Sequence, residues 1–107
     1  MPHTHEMAKV WNDHPQIVLN YAGKLAALDL IDQLRAFVAT AQTGSFTGAA
    51  EQLGISNRLT SKYVAELERR LGVRLFQRTT RKVGLTSAGE DLLSRTPALL
   101  DDLDAVL

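Results

Sequence analysis

Apolar residues at Leu30, Ile31, Leu34, Phe37, Val38 and Ala41 recur at intervals of three and four, the spacing that gathers them on one face of a helix. Asp29 ahead of this face suits an N-cap and Gly44 after Thr43 suits a stop, so the pattern predicts a helix between them. Ser45 then caps a short second helix with Phe46, Ala49, Ala50 and Leu53 inward, and Gly54 supplies the left-handed backbone of a tight turn. Ser56 caps a third helix with Val64, Leu67 and Leu71 inward and Gly72 at its end. A short helix, a glycine turn and a longer helix in succession are the grammar of a helix-turn-helix. An ordinary helical hairpin obeys the same grammar. Small Ala49 and Ala50 favour the DNA-binding form, because they let the second helix approach the third closely.

Beyond Gly72 the period changes. Leu75 and Phe76 on one side, and Val83, Gly84 and Leu85 on the other, flank Arg78, Thr79, Thr80, Arg81 and Lys82. This predicts a two-stranded hairpin with a basic tip, a wing. Thr86 caps a helix running to the C-terminus, on which Leu92, Leu93, Thr96, Leu99, Leu100, Leu103, Val106 and Leu107 trace a stripe close to the coiled-coil period. Asp101, Asp102 and Asp104 lie off it. A stripe of that length exceeds what so small a body covers, so burial against a partner is expected over intrachain core. Pro97 inside it removes one helical hydrogen bond and predicts a kink there, or a break near Thr96. At the other end, Pro15 can open a helix carrying Ile17, Val18, Tyr21 and Leu25, with Asp13 or His14 near its cap, and Gly23 weakens it.

The formal net charge is zero, from twelve basic and twelve acidic side chains, but the balance is uneven along the chain. Residues 28–89 hold nine Lys/Arg against five acids, and residues 90–107 hold five acids against Arg95 alone. A basic body with an acidic tail points to a polyanionic partner for the body, with solvated helix faces as the plainer alternative. At 107 residues the chain is expected to be one domain. Without cysteine it has neither a disulfide framework nor a thiolate metal site, and a reducing cytoplasm fits. No stretch approaches the roughly 20 apolar residues of a membrane span, and the N-terminus does not resemble a signal peptide. His3, His5 and His14 lack the fixed geometry a metal site needs, so no metal and no cofactor are expected. No nucleophile has a base at suitable spacing and no glycine-rich phosphate loop occurs, so an enzyme is not expected.

From about Leu28 to Leu107 the chain resembles the N-terminal DNA-binding domain of the LysR-type transcriptional regulators. Leu34, Phe37 and Val38 match in the first helix, followed by "GSFTGAAEQLGIS", Ser61, Leu67, Glu68 and "LGVRLFQRTTRKVGLTSAGE". The run Leu-Gly-Val-Arg-Leu-Phe-Gln-Arg followed by Leu-Thr-x-Ala-Gly is highly specific. The resemblance implies a mainly α winged helix-turn-helix with a two-stranded β wing and a C-terminal linker helix that pairs two protomers. The division expected is an N-terminal extension over 1–27, the DNA-binding domain over 28–86 and the linker over 87–107. In the family a larger effector-binding domain senses a small molecule, and no such effector site is expected in this chain. The capping serine is usually followed by Gln, Pro or Ser, Ala, and Val or Leu. Here Asn57, Arg58, Leu59 and Thr60 follow, which puts local packing in question.

By that resemblance the helix from Ser56 is the recognition helix, whose N-terminal residues meet base edges in the major groove. Ser56, Asn57, Arg58, Ser61 and Lys62 are the expected DNA-binding residues there, with Arg78, Thr80, Arg81 and Lys82 on the wing for the backbone or minor groove. Asn57 suits adenine and Arg58 suits guanine as bidentate partners, while a phosphate contact or solvation stays open for Arg58. Glu66 with Arg69 or Arg70 looks like helix-surface pairing. Leu92, Leu93, Thr96, Leu99, Leu100, Leu103 and Val106 are the expected dimerisation residues, and a homodimer implies a roughly palindromic duplex operator. The alternatives are a stand-alone winged-helix regulator without effector domain and a protein-interaction module.

Overall fold

The computed structural model describes Asp13 and residues 15–77 and 83–106, with the side chains of Val18, Asp104 and Val106 left aside. Four helices and one hairpin follow in order: α1 (Pro15–Thr43), α2 (Phe46–Leu53), α3 (Asn57–Leu71), β1 (Phe76–Gln77), β2 (Gly84–Leu85) and α4 (Ser87–Val106). The strands are antiparallel, with Phe76 opposite Leu85 and Gln77 opposite Gly84.

α1 departs from the expected break at Asp29. It runs unbroken for 29 residues, about 43 Å at the helical rise, and Asp29 lies exposed within it rather than capping a new helix. A single helical glycine costs about 1 kcal/mol relative to alanine. Lys24-Leu25-Ala26-Ala27-Leu28 just after Gly23 are strong helix formers, so propagation continues through it. The stops fall where the glycines predict them: Gly44, Gly54 and Gly72 all have positive φ, which only glycine adopts without strain.

The core gathers around Leu34, Ala36, Phe37, Val64, Leu67, Leu75 and Phe76. The Phe76 ring lies 5.4 Å from that of Phe37 and meets Phe46 edge-on at 6.1 Å, so the base of the hairpin is inserted between α1 and α2. Ala49 and Ala50 are buried as expected. On α3 the inner positions are Thr60, Val64, Leu67 and Glu68, whereas Leu71 is exposed, contrary to expectation. Leu71 is the last helical residue, and the chain leaves through Gly72. Thr60 occupies its fully buried slot without a polar penalty because its Oγ1 donates to the Ser56 carbonyl at 2.9 Å.

α4 continues through Pro97 to Val106, so the break expected near Thr96 does not occur. Its stripe is also more intrachain than expected: Leu92, Leu93, Leu100 and Leu103 pack half-buried against the core, and Thr96 is fully buried with its hydroxyl donating to the Leu92 carbonyl at 2.6 Å. α1 packs along α4. Leu99 stays exposed on that stripe.

Candidate nucleic-acid interface

The turn between α2 and α3 is built from caps at both helix starts. Ser45 Oγ accepts the Gly48 N–H at 2.8 Å, and Ser56 Oγ accepts the Leu59 N–H at 3.0 Å. The Ile55 N–H returns to the Ala50 carbonyl at 3.1 Å, closing the turn at Gly54. Ser56 therefore serves the backbone, and the next residues present their side chains outward. Asn57 and Arg58 are exposed, Ser61 is half-buried, and Lys62 is exposed. These four cluster at the N-terminal end of α3, where the amide dipoles also favour an anion.

Lys62 Nζ lies 3.9 Å from Glu66 Oε1, one turn along the same face, and Glu66 Oε2 accepts from Gln33 Nε2 at 3.3 Å. Glu66 thus pairs with Lys62 and α1, not with Arg69 or Arg70 as expected. The pair is largely exposed, worth little, and easily exchanged for a phosphate. Burial, and after it the carboxylates of Asp32, Asp29 and Glu66, raise the nearby Tyr63 phenol above its ordinary pKa.

The hairpin is fastened to α3 by a residue whose role spacing did not suggest. Glu68, 8% exposed, accepts the Leu75 N–H through Oε2 at 2.8 Å, while the Leu75 carbonyl accepts the Thr86 N–H at 3.0 Å. Thr86 Oγ1 donates to the Arg74 carbonyl at 2.6 Å and accepts from the Gly89 N–H at 3.0 Å, capping α4. A Cβ on Gly89 would stand 2.2 Å from the Leu75 carbonyl oxygen, so only glycine lets α4 start this close to β1. The signal for Glu68 was a charge on the inner face of α3, one turn beyond Val64. Arg78, Thr80, Arg81 and Lys82 lie outside the described residues, between the paired Gln77 and Gly84. His3, His5 and His14 also lie outside them.

Thr47 is a second residue the sequence reading missed. Its Oγ1 accepts from Asn57 Nδ2 at 3.1 Å, joining the first turn of α2 to the first residue of α3. The link spans two helices across a turn, and no spacing rule reports it.

Residues 31–90 match the sequence model of the bacterial regulatory helix-turn-helix proteins, lysR family. The chain belongs to the LysR family. Among its relatives, the uncharacterized HTH-type transcriptional regulator YfeR of Shigella flexneri is 48% identical over 77 residues, 72% of this chain and 25% of YfeR. The HTH-type transcriptional regulator PtxR of Pseudomonas aeruginosa is 46% identical over the same length, again 72% and 25% of the two chains. This LysR-family chain therefore spans about a quarter of the length of these relatives. Among solved structures, a complex of the BenM DNA-binding domain with benA site 1 DNA superposes with a TM-score of 0.64 at 35% identity, covering 70% of this chain and 84% of that one. Oxidized Corynebacterium glutamicum OxyR gives 0.63 at 43% identity, covering 70% and 24%. The match to the LysR family model begins at Ile31, so the first turns of α1 precede it.

Proposed function

We propose that this chain is the sequence-specific, duplex-DNA-binding part of a LysR-type transcriptional regulator, acting in the cytoplasm without catalysis. The observation that carries the proposal is the Ser56-capped start of α3, where exposed Asn57, Arg58 and Lys62 and half-buried Ser61 share one solvent-facing end next to α2. An α-helix presented this way fits the major groove, and its first residues reach base edges. Arg78, Thr80, Arg81 and Lys82, on the hairpin tied to α3 through Glu68, supply the backbone or minor-groove contacts. A related BenM domain is solved on DNA, which supports the same use of this surface.

Residues 28–86 form the DNA-binding unit in this reading and residues 87–107 the linker through which two copies pair. Leu99, with the outer parts of Leu92, Leu93, Leu100 and Leu103, supplies the pairing surface. Two copies related by a twofold axis select a roughly palindromic operator. The deciding experiment is a titration of duplex DNA at several salt concentrations. Each phosphate neutralised by Lys or Arg releases counterions, so the logarithm of affinity should fall with the logarithm of salt at a slope of several units. A flat response eliminates DNA as the ligand and leaves a protein-interaction module as the reading.

A further inference from the structure

We propose that Thr47 is a positioning residue that commits Asn57 to reading adenine; the inference rests on the DNA-binding reading above. Asn57 Nδ2 donates to Thr47 Oγ1 at 3.1 Å, and both residues are exposed at the turn-side ends of their helices. Because Ser56 supplies the cap of α3, the Asn57 amide is not occupied in satisfying backbone donors. Thr47 in turn sits on a helix start already capped by Ser45. The side-chain pair is therefore additional to what the fold needs locally.

A side-chain amide carries two N–H donors and one carbonyl acceptor. With one N–H given to Thr47, Asn57 keeps one donor beside one acceptor. Adenine presents an acceptor, N7, next to a donor, the N6 amino group, which is the complement of what remains. Guanine presents two acceptors, N7 and O6, and requires two donors that the held amide no longer has. The Thr47 bond thus works in two ways. It holds the Asn57 side chain in one arrangement before DNA arrives, reducing the ordering lost on binding. It also withholds the donor that guanine needs, so discrimination comes from a rejected base as well as an accepted one.

Binding-site selection from a randomised duplex pool tests this, using the whole chain as wild type, Thr47→Val, Thr47→Ser, Asn57→Ala and the Thr47→Val/Asn57→Ala double variant. Wild type should enrich adenine at one position of each half-site. Thr47→Val should still bind but admit guanine there, shifting the adenine-to-guanine ratio by about tenfold, and Thr47→Ser should restore the preference. Asn57→Ala should abolish the preference, and Thr47→Val should change nothing further in that background. A Thr47 hydroxyl that only touches phosphate would lower enrichment of all sequences alike and leave base preference intact, which overturns the proposal. Guanine selected by wild type at the Asn57-dependent position overturns it too. Wild type enriching no sequence over the starting pool removes the DNA-reading function itself, and this proposal with it. Circular dichroism on each variant separates these outcomes from misfolding, which is not expected at two exposed positions.

Discussion

Replacing Glu68 by alanine should detach the hairpin from α3 and destabilise the whole fold. The Leu75 N–H that Glu68 accepts cannot turn to water instead. The Leu75 side chain is buried, its carbonyl is held by the Thr86 N–H, and Gly89 packs directly over that carbonyl. An unsatisfied buried N–H costs about 1–3 kcal/mol, and the space left by the missing side chain raises the total to roughly 2–4 kcal/mol. For a domain of this size that corresponds to a fall in melting temperature of about 10–20 °C. Thermal denaturation followed by circular dichroism reads the total, and amide hydrogen exchange reads the site, since Leu75 should lose protection out of proportion to its neighbours. Glu68→Gln keeps an acceptor oxygen of equal reach and should recover part of the loss. A melting temperature for Glu68→Ala within about 2 °C of wild type, or an unchanged Leu75 exchange rate, refutes the reasoning.

Gly89→Ala should cost about 1–3 kcal/mol, because its Cβ meets a backbone oxygen that no rotamer can move aside. Gly23→Ala, in open space within α1, should stabilise by roughly 0.5–1 kcal/mol, and urea denaturation of the two variants checks the opposed signs. Arg58→Ala should cost about 1–3 kcal/mol on the preferred site and relax one base position, whereas Arg81→Ala should weaken all sequences alike and lower the salt slope by about one. Selection experiments on both variants decide it, and an intact motif for Arg58→Ala with an altered one for Arg81→Ala reverses the roles. Leu99→Asp should shift the chain from dimer to monomer in light scattering while leaving its melting curve almost unchanged at low concentration. The proposed dimer would bury two copies of this exposed leucine, so pairing should weaken at least tenfold.

The helix-turn-helix was legible because its punctuation is local: serine caps, glycines with positive φ and apolar faces each act within one or two turns. The errors arose where a local signal competed with its surroundings. Gly23 weakened the N-terminal helix, yet one glycine cannot outweigh the helix formers after it, and Asp29 resembles a cap although it stands mid-helix. The break expected near Thr96 does not form, since one missing hydrogen bond does not end a helix whose Leu100 and Leu103 are packed beyond it. Glu68 was hidden because apolar periodicity treats a charge on an inner face as noise, when a buried carboxylate with a backbone donor is structural. The Thr47–Asn57 bond depends on how a turn brings two helix ends together, and nothing in either residue's own neighbourhood encodes it.

Zero net charge is compatible with a polyanionic ligand because the acidic excess of residues 90–107 offsets a basic excess over residues 28–89. Arg58 and Lys62 stand at the start of α3, while Glu90, Asp91, Asp101 and Asp102 are exposed on α4. Placed against duplex DNA by α3, the chain gains from its basic surface and loses where acids face phosphate, so the orientation with α4 directed away from the duplex is favoured. At physiological ionic strength the field fades over roughly 8 Å, so each surface is felt by what lies next to it and the sum matters little. In the proposed DNA-bound arrangement the acidic helix opposes docking through α4 more than docking through the start of α3. It also sets a limit on pairing: two α4 helices meeting through Leu99 must keep Asp101 and Asp102 to the solvent side of the seam, because carboxylates brought opposite one another repel.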